Sequence, residues 1–384
     1  MKKLMPIALF FLFLLAPTFS ADALSVSAQY ACVIDAQTGK VLYEKNAYTA
    51  HSMASTTKIM TALLALENAK PDEIVTVSKN AAGTEGSSIY LAAGETLPMK
   101  DLLYGLMLNS GNDAAIAIAE HVGGSVENFA KMMTERAHSL GAKNTAFQNP
   151  NGLDAEGHYT TAYDLALITR AALENPDFAE IVSTKKKSIP AGENNKARSF
   201  VNHNKLLSLY PGCIGVKTGF TKKTGRCLVS AATRDHTTAI CVTLNAPNDW
   251  NDHTNMLNYA FSTLSARPLV LKDMILKSIP VKCGTSKTVE LLAAEDFYLS
   301  QADTESLSKL KLDYKLPSEI QAPVSAGAQI GKLTISYDGK KLCEMDLLAG
   351  VTVDYLEPAK PTLLENFQKV FTNLLNFSGK LCYN

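Results

Sequence analysis

The residues able to do covalent chemistry fall into three short groups. Ser55-Thr56-Thr57-Lys58 sets a hydroxyl and an amine three residues apart, which on a helix is one turn along one face. A helix N-terminus favours negative charge developing on the serine oxygen. A lysine whose pKa is lowered by burial or by other cations can take the hydroxyl proton, so the pair has the parts of an activated nucleophile. Ser110-Gly111-Asn112 adds a hydroxyl that could relay a proton and a carboxamide that could hold a substrate amide, both on a turn. Lys217-Thr218-Gly219 adds a positive charge, a hydroxyl and a residue that lets a substrate backbone approach a strand. That trio suits an anionic, peptide-like ligand laid along a sheet edge. Each group alone is ordinary: a capped helix with a solvated lysine, a polar turn, the end of a strand. Their conjunction in this order within one chain is the signal.

The elements that must carry these groups are partly visible. Residues 31–35 and 41–43 predict an opening hairpin around Thr38-Gly39. Residues 55–68 predict a helix with Ile59, Met60, Leu63, Leu64 and Leu66 on most sides, hence buried. Residues 102–108 and 113–121 predict helices flanking the Ser110 turn, and 161–173 a further helix. Residues 213–217, 227–233 and 239–244 return to strand character, with Lys217 ending the first of them. Strands at both ends of the segment and helices between them predict a mixed α/β domain over residues 24–265.

Residues 266–357 change to short alternating runs, among them Val281, Val289, 333–335 and 351–353, with Asp338-Gly339 as a two-residue turn. They predict a small all-β domain without catalytic-looking clusters. In the remaining segment, 358–384, Thr362 and Glu365 have capping-box spacing, and Leu364, Phe367, Phe371 and Leu374 mark one helical face. Glu365, Gln368, Lys369, Thr372 and Asn373 fall opposite. Residues 362–379 are therefore expected to form an amphipathic helix lying in a membrane surface.

Composition narrows the classes further. The chain has 384 residues, balanced at 37 Lys+Arg and 37 Asp+Glu, with 46% hydrophobic residues, which excludes a disordered chain and a polybasic nucleic-acid binder. Lys2 and Lys3, an apolar run from Ile7 to Ala16 and Ala21-Asp22-Ala23 have the layout of a secretory signal peptide over residues 1–23. The expected product is exported, and either attached peripherally to the cytoplasmic membrane or released to the cell wall. Removing those residues takes away two lysines and Asp22, leaving a net charge of −1. The seven cysteines include no C-x-x-C spacing, and the seven histidines no H-E-x-x-H. Cys227 and Cys241 cannot face each other across a hairpin with a two- to four-residue loop, so they are expected to be small buried hydrophobes.

Ser-x-x-Lys, Ser-x-Asn and Lys-Thr-Gly in that order match the signature of the penicillin-recognising serine enzymes. With Gly86-Ser87-Ser88, Asn151-Gly152-Leu153-Asp154, His158-Tyr159 and the run from Gly215 to Thr221, the sequence resembles the serine-type D-alanyl-D-alanine carboxypeptidases, the low-molecular-mass penicillin-binding proteins of peptidase family S11. The resemblance spans residues 24–384. It implies a penicillin-binding/β-lactamase-like fold and removal of the terminal D-alanine from peptidoglycan stem pentapeptides, which limits cross-linking. Ser55 would attack the carbonyl between the two D-alanines, Lys58 would act as general base, and Ser110 would relay the proton. Asn112 would position the substrate amide and Lys58, and Lys217 and Thr218 would hold the terminal carboxylate. Gly219 belongs to the same substrate-binding strand, and the backbone N–H groups of Ser55 and Phe220 would form the oxyanion hole. β-Lactams would be covalent inhibitors, the outer face of the cytoplasmic membrane a docking surface, and no metal, cofactor or nucleic acid is implied. Phe220 stands where some relatives carry His. The rival readings are a DD-endopeptidase or transpeptidase, a β-lactamase, and a catalytically silent wall-binding module.

Overall fold

The protein is described by a computed structural model covering residues 24–192, 194–302, 307–357 and 367–372. Its centre is a five-stranded antiparallel sheet in the order Val41–Lys45, Tyr30–Asp35, Thr237–Leu244, Gly225–Arg234, Cys213–Thr221. The first strand thus pairs with one some 200 positions later in the chain, Ile34 opposite Ile240. Alternation along each strand feeds two cores. Cys32, Ile34, Val229, Ala231, Ile240 and Val242 pack into the large helical layer on one face. Ala31, Val33, Leu228, Ala232, Ala239 and Cys241 pack with Met256, Leu257 and Ala260 of the helix Asp249–Thr263 on the other.

The helix Lys58–Asn68 is the axis of the large layer, with every residue from Lys58 to Ala65 buried. Its predicted first turn takes a different form: Ala54–Thr57 is a separate 3-10 turn that starts with Ala54 at φ +48°. Thr56 Oγ1 donates to Met53 O and Thr57 Oγ1 to Ala54 O, so the side chains follow the tight turn. Met99–Leu108 and Asn112–Gly123 are the expected pair of helices, and Thr161 caps Ala162–Leu173 by accepting from the Asp164 N–H. Val126–Ser139, Pro176–Ser183 and Asp249–Thr263 are additional helices. The first could have been found from Phe129, Met133 and Ala137, buried at four-residue spacing behind the capping Ser125.

One expectation about the site is corrected. The strand from Cys213 does not end at Lys217 but runs on to Thr221, paired with the next strand as far as Thr221 opposite Gly225. Lys217-Thr218-Gly219 therefore lies in mid-strand, on the strand at the sheet's edge.

The chain then passes from the helix ending at Thr263 into Leu264–Val270, which pairs with Phe297–Ala302. A six-stranded sheet follows, with its own apolar core around Leu291, Leu333, Ile335 and Leu347. Asp338 and Gly339, both at positive φ, make the predicted two-residue turn between Gln329–Tyr337 and Lys340–Ala349. The expected strand at 351–353 reduces to a single bridge between Val353 and Val324. Asp35 joins the two regions: Ser300 Oγ donates to its carboxylate at 3.0 Å, and Ser300 N–H donates to the Gln37 amide at 2.7 Å.

Cys227 and Cys241 are buried free thiols opposite Gly219 and Ser230, as expected of small hydrophobes. The expected signal segment 1–23 and most of the expected tail helix lie outside the described residues. Within 367–372 the chain is helical, with Phe367, Val370 and Phe371 exposed. Among the described residues no helix is long and apolar enough to cross a membrane.

Candidate active site

The 3-10 turn at Ala54–Thr57 abuts the edge strand Cys213–Thr221, and the space beside them is a pocket of about 330 Å³. Ser55, Ser110, Thr218, Gly219 and Phe220 line it, so three chain segments far apart in sequence converge there. Gly219 permits the approach. A Cβ at this position would lie 3.0 Å from the Ser55 nitrogen, tighter than ordinary side-chain contact and on the atom expected to bind an oxyanion.

Lys58 is fully buried beneath Ser55, with Nζ 3.0 Å from Ser55 Oγ. It donates to Asn112 Oδ1 at 2.8 Å and to Asn151 O at 2.5 Å. Burial, and then the charge of Lys217, hold its pKa well below the usual lysine range, against an opposing pull from Asp113. Three oxygens surround Nζ, and the lowered pKa favours the neutral form among them. A neutral amine has two N–H bonds and one lone pair; the two carbonyl oxygens take the hydrogens, and the lone pair is left for the Ser55 hydroxyl. Asn151 contributes its backbone carbonyl, which sequence reasoning had no means of singling out. Gly152, at φ +86°, lets that carbonyl come close: a Cβ there would sit 2.0 Å from Ala54 O.

Asn112 opens the helix Asn112–Gly123 and is almost fully used by the scaffold. Its Nδ2 donates to Glu85 O at 2.7 Å while Oδ1 receives Lys58. The neighbouring Asp113 binds the opposite wall. It accepts from Ser88 Oγ at 2.6 Å and from the Ile89 and Leu91 N–H groups at 3.0–3.1 Å. The wall from Gly86 to Leu91 and the second motif are therefore one hydrogen-bonded unit. Arg198 holds its far end, donating to Ile89 O and Tyr90 O and forming a bidentate ion pair with buried Glu95. Ser110 sits at φ +62°, which presents it to the pocket from the turn between two helices.

Lys217 differs from expectation. It does not line the pocket but is 1% exposed beneath it, with Nζ donating to Thr218 O at 2.9 Å. Burial pulls its pKa down to about 7. Partial burial, and then the charge of Lys217, lower the pKa of His203 on the pocket rim. The sequence reading missed His203, Arg226, Asp249 and Trp250, which with Ser87 of the Gly86-Ser87-Ser88 stretch complete the lining. Arg226 pairs with buried Asp249 at 2.9 Å and leans over Trp250, so a guanidinium faces the pocket from the strand beside Lys217. The signal available was weak: Arg226 lies opposite Phe220 in the hairpin register, which only the structure fixes. Asp154 and His158 support the turn from outside the pocket. Asp154 accepts from Thr221 and Thr224, and His158 Nε2 meets Thr57 Oγ1 at 2.8 Å. Among the described residues no cluster of His, Cys, Asp and Glu could hold a metal ion.

Comparison with known proteins agrees with this geometry. Residues 17–248 match the peptidase S11 family, described as D-alanyl-D-alanine carboxypeptidase, and residues 265–355 match the C-terminal domain of penicillin-binding protein 5. The chain is 37% identical over 334 residues to the D-alanyl-D-alanine carboxypeptidase DacF of Bacillus subtilis, covering 85% of this chain and 86% of that protein. It is 34% identical over 366 residues to DacC of Escherichia coli, covering 90% of each. Among solved structures, penicillin binding protein 5 from Haemophilus influenzae superposes with a TM-score of 0.61 at 28% identity, covering 86% of this chain and 98% of that one. The β-lactamase and wall-binding readings are not favoured. The chain belongs to peptidase family S11, the serine-type D-alanyl-D-alanine carboxypeptidases.

Proposed function

We propose that the protein removes the terminal D-alanine of peptidoglycan stem pentapeptides through an acyl-enzyme on Ser55. The observation that carries this reading is the buried Lys58 amine, with Nζ 3.0 Å from Ser55 Oγ and held in place by Asn112 Oδ1 and Asn151 O. Lys58 takes the hydroxyl proton as Ser55 Oγ bonds to the carbonyl carbon between the two D-alanines. The oxyanion is received by the N–H groups of Ser55 and Phe220, where the absent Cβ of Gly219 leaves room. As the C–N bond breaks, Ser110 relays the proton to the departing D-alanine amine. Water then attacks the ester, Lys58 taking its proton and returning it to Ser55 Oγ as the C–Oγ bond breaks, and the shortened peptide leaves.

The substrate lies along the open side of the edge strand, whose unpaired backbone groups can accept it as an added strand. Thr218 and Arg226 meet its terminal carboxylate, and buried Lys217 supplies positive charge from beneath. Asn112 acts chiefly by positioning Lys58. A β-lactam enters as a mimic of the same terminus and stays on Ser55. Ser55→Ala is expected to abolish both D-alanine release and labelling by a fluorescent penicillin; labelling at wild-type occupancy would overturn the assignment.

We also propose that the protein is exported and attached to the outer face of the cytoplasmic membrane through residues 362–379. The support is the signal-peptide layout at residues 1–23 and the Leu364, Phe367, Phe371 and Leu374 stripe, of which Phe367 and Phe371 are exposed in the described helical turn. Mature protein should sediment with liposomes and a form ending at Pro361 should not. Equal sedimentation of the two would refute the anchor.

A further inference from the structure

Beside the catalytic pocket, across the turn Asn202-His203-Asn204, lies a second depression of about 360 Å³. The two share a wall. His203 lines the catalytic pocket, while Asn202 and Asn204 line the second, so the sites are separated by single residues of one turn. The turn is firmly tied. Asn202 Nδ2 donates to Val182 O and Thr184 O at 3.1 Å, its N–H donates to Lys185 O at 2.9 Å, and its Oδ1 receives the Asn204 N–H at 2.9 Å.

Asn204 is the unusual member. Its residue is 3% exposed, and its Nδ2 has no hydrogen-bond partner, the sole buried side-chain nitrogen or oxygen so placed among the described residues. The amide cannot simply be turned over, because Oδ1 accepts from the Leu206 N–H at 3.1 Å and a flip would set donor against donor. A buried donor without an acceptor is costly, but this nitrogen is closed to solvent, so ligand recognition falls to the rim. The rim indicates the charge of a ligand. Lys185, Lys186 and Lys205 line the depression, all at least partly exposed, with no carboxylate among the lining residues and, among the described residues, no ion pair to any of the three. Leu207, Leu209 and Val201 supply the rest of the wall, and Leu209 and Val201 are exposed apolar side chains. Three cations and a short apolar wall match a small peptide with methyl side chains and a free carboxylate better than they match a bare phosphate chain.

We propose that this depression is a second subsite which binds the free carboxylate of a neighbouring, uncleaved stem peptide when the substrate is polymeric peptidoglycan. The proposal rests on the function assigned above. It makes the enzyme prefer polymer over isolated peptides through interactions that never touch the reacting bond.

The test uses full-length mature protein and the triple variant Lys185→Ala/Lys186→Ala/Lys205→Ala. These positions lie outside the catalytic machinery. D-alanine release is measured on a soluble pentapeptide and on sonicated peptidoglycan stripped of phosphate polymers. The variant should show an unchanged kcat and a KM for the polymer raised about fivefold, the scale expected when three solvent-facing charges are removed at once. Kinetics on the pentapeptide should be unchanged, and the difference between proteins should vanish at 1 M salt, where screening is nearly complete. A binding measurement separates this idea from the catalytic one: on a Ser55→Ala background, cosedimentation with the stripped peptidoglycan should fall when the three lysines are removed, whether or not the wild type hydrolyses it. An unchanged polymer KM together with unchanged cosedimentation overturns the subsite. So does an equal loss on the pentapeptide, which would make the lysines part of the general scaffold. A difference seen only on walls that retain phosphate polymers overturns the carboxylate assignment.

Discussion

Replacing Gly152 by alanine tests how the general base is held. Gly152 sits at φ +86°, and its missing Cβ would lie 2.0 Å from Ala54 O and 2.9 Å from the Ser55 nitrogen. The left-handed backbone alone costs an alanine roughly 1–2 kcal/mol. The overlap is with backbone, which cannot swing aside, so the turn carrying Ser55 and the turn carrying Asn151 must separate by about 1 Å, adding roughly 1–3 kcal/mol of the kind seen on overpacking. At about 2–4 °C per kcal/mol for a domain of this size, the melting temperature should fall by roughly 5–15 °C. The kinetic effect follows from the same displacement. Asn151 O holds one hydrogen of Lys58, and a 1 Å error in a catalytic geometry can cost about 100-fold in rate. Gly94→Ala is the matched control: φ is +80° and no atom lies within 4 Å of the added Cβ, so only the backbone strain applies. The assay is the rate of acylation by a fluorescent penicillin below the melting transition, alongside thermal unfolding. If Gly152→Ala acylates within threefold of wild type, or if Gly94→Ala slows as much, the link from this glycine through Asn151 to Lys58 is wrong.

Asn112→Ala removes the other carbonyl that orients Lys58 and frees Glu85 O, so acylation should slow by about 100-fold; a near-normal rate in stopped-flow labelling would show that Asn151 alone suffices. Acylation needs neutral Lys58, so the rate falls on the acid side as that amine takes a proton; because the charge of Lys217 lowers its pKa, Lys217→Met should move this acid limb to higher pH, and an unmoved limb in the pH profile would exclude the coupling. His253 is buried between Ser230 Oγ and Thr243 Oγ1 with its pKa pulled from 6.5 to about 3 by burial, so the unfolded chain binds a proton that the folded one refuses between those values. Stability should therefore drop as pH falls from 6.5 towards 3, by on the order of 3 kcal/mol at pH 4 from this group. Urea titrations of wild type and His253→Gln should show a shallower acid side in the variant; parallel curves would dismiss the histidine as the cause.

The sequence displayed the catalytic groups because their members are local. Ser55 and Lys58 are one turn apart, and Lys217, Thr218 and Gly219 are contiguous, so spacing alone carries meaning. Side chains used by the site from a distance carried no such mark. Arg226 reaches the pocket only through the hairpin register, and His203 only because its turn packs against the helix end at Leu108. Asn151 acts through a carbonyl that every residue possesses. Hairpins with two-residue turns, at Asp235-His236 and Asp338-Gly339, obey a local rule, whereas the pairing of Tyr30–Asp35 with Thr237–Leu244 obeys none that a short window can show. The misplaced strand end at Lys217 has the same origin: it is pairing with Gly225–Arg234 that keeps the backbone extended as far as Thr221.

The hydrogen bonds of Asp113 also limit how such an enzyme can escape an antibiotic. One carboxylate ties Ser88, Ile89 and Leu91 to the helix that begins with Asn112, and Asn112 in turn holds Lys58. A mutation that reshapes this rim to keep a bulky β-lactam out will pull on the group that activates Ser55, so drug exclusion and turnover fall together. The opposite rim is under no such tie. Phe220 is 64% exposed, and its strand neighbour Arg226 is anchored by Asp249 rather than by the nucleophile's partners. Substitutions that trade drug affinity against substrate affinity without disabling the chemistry should therefore collect at Phe220 and spare the stretch from Ser87 to Leu91.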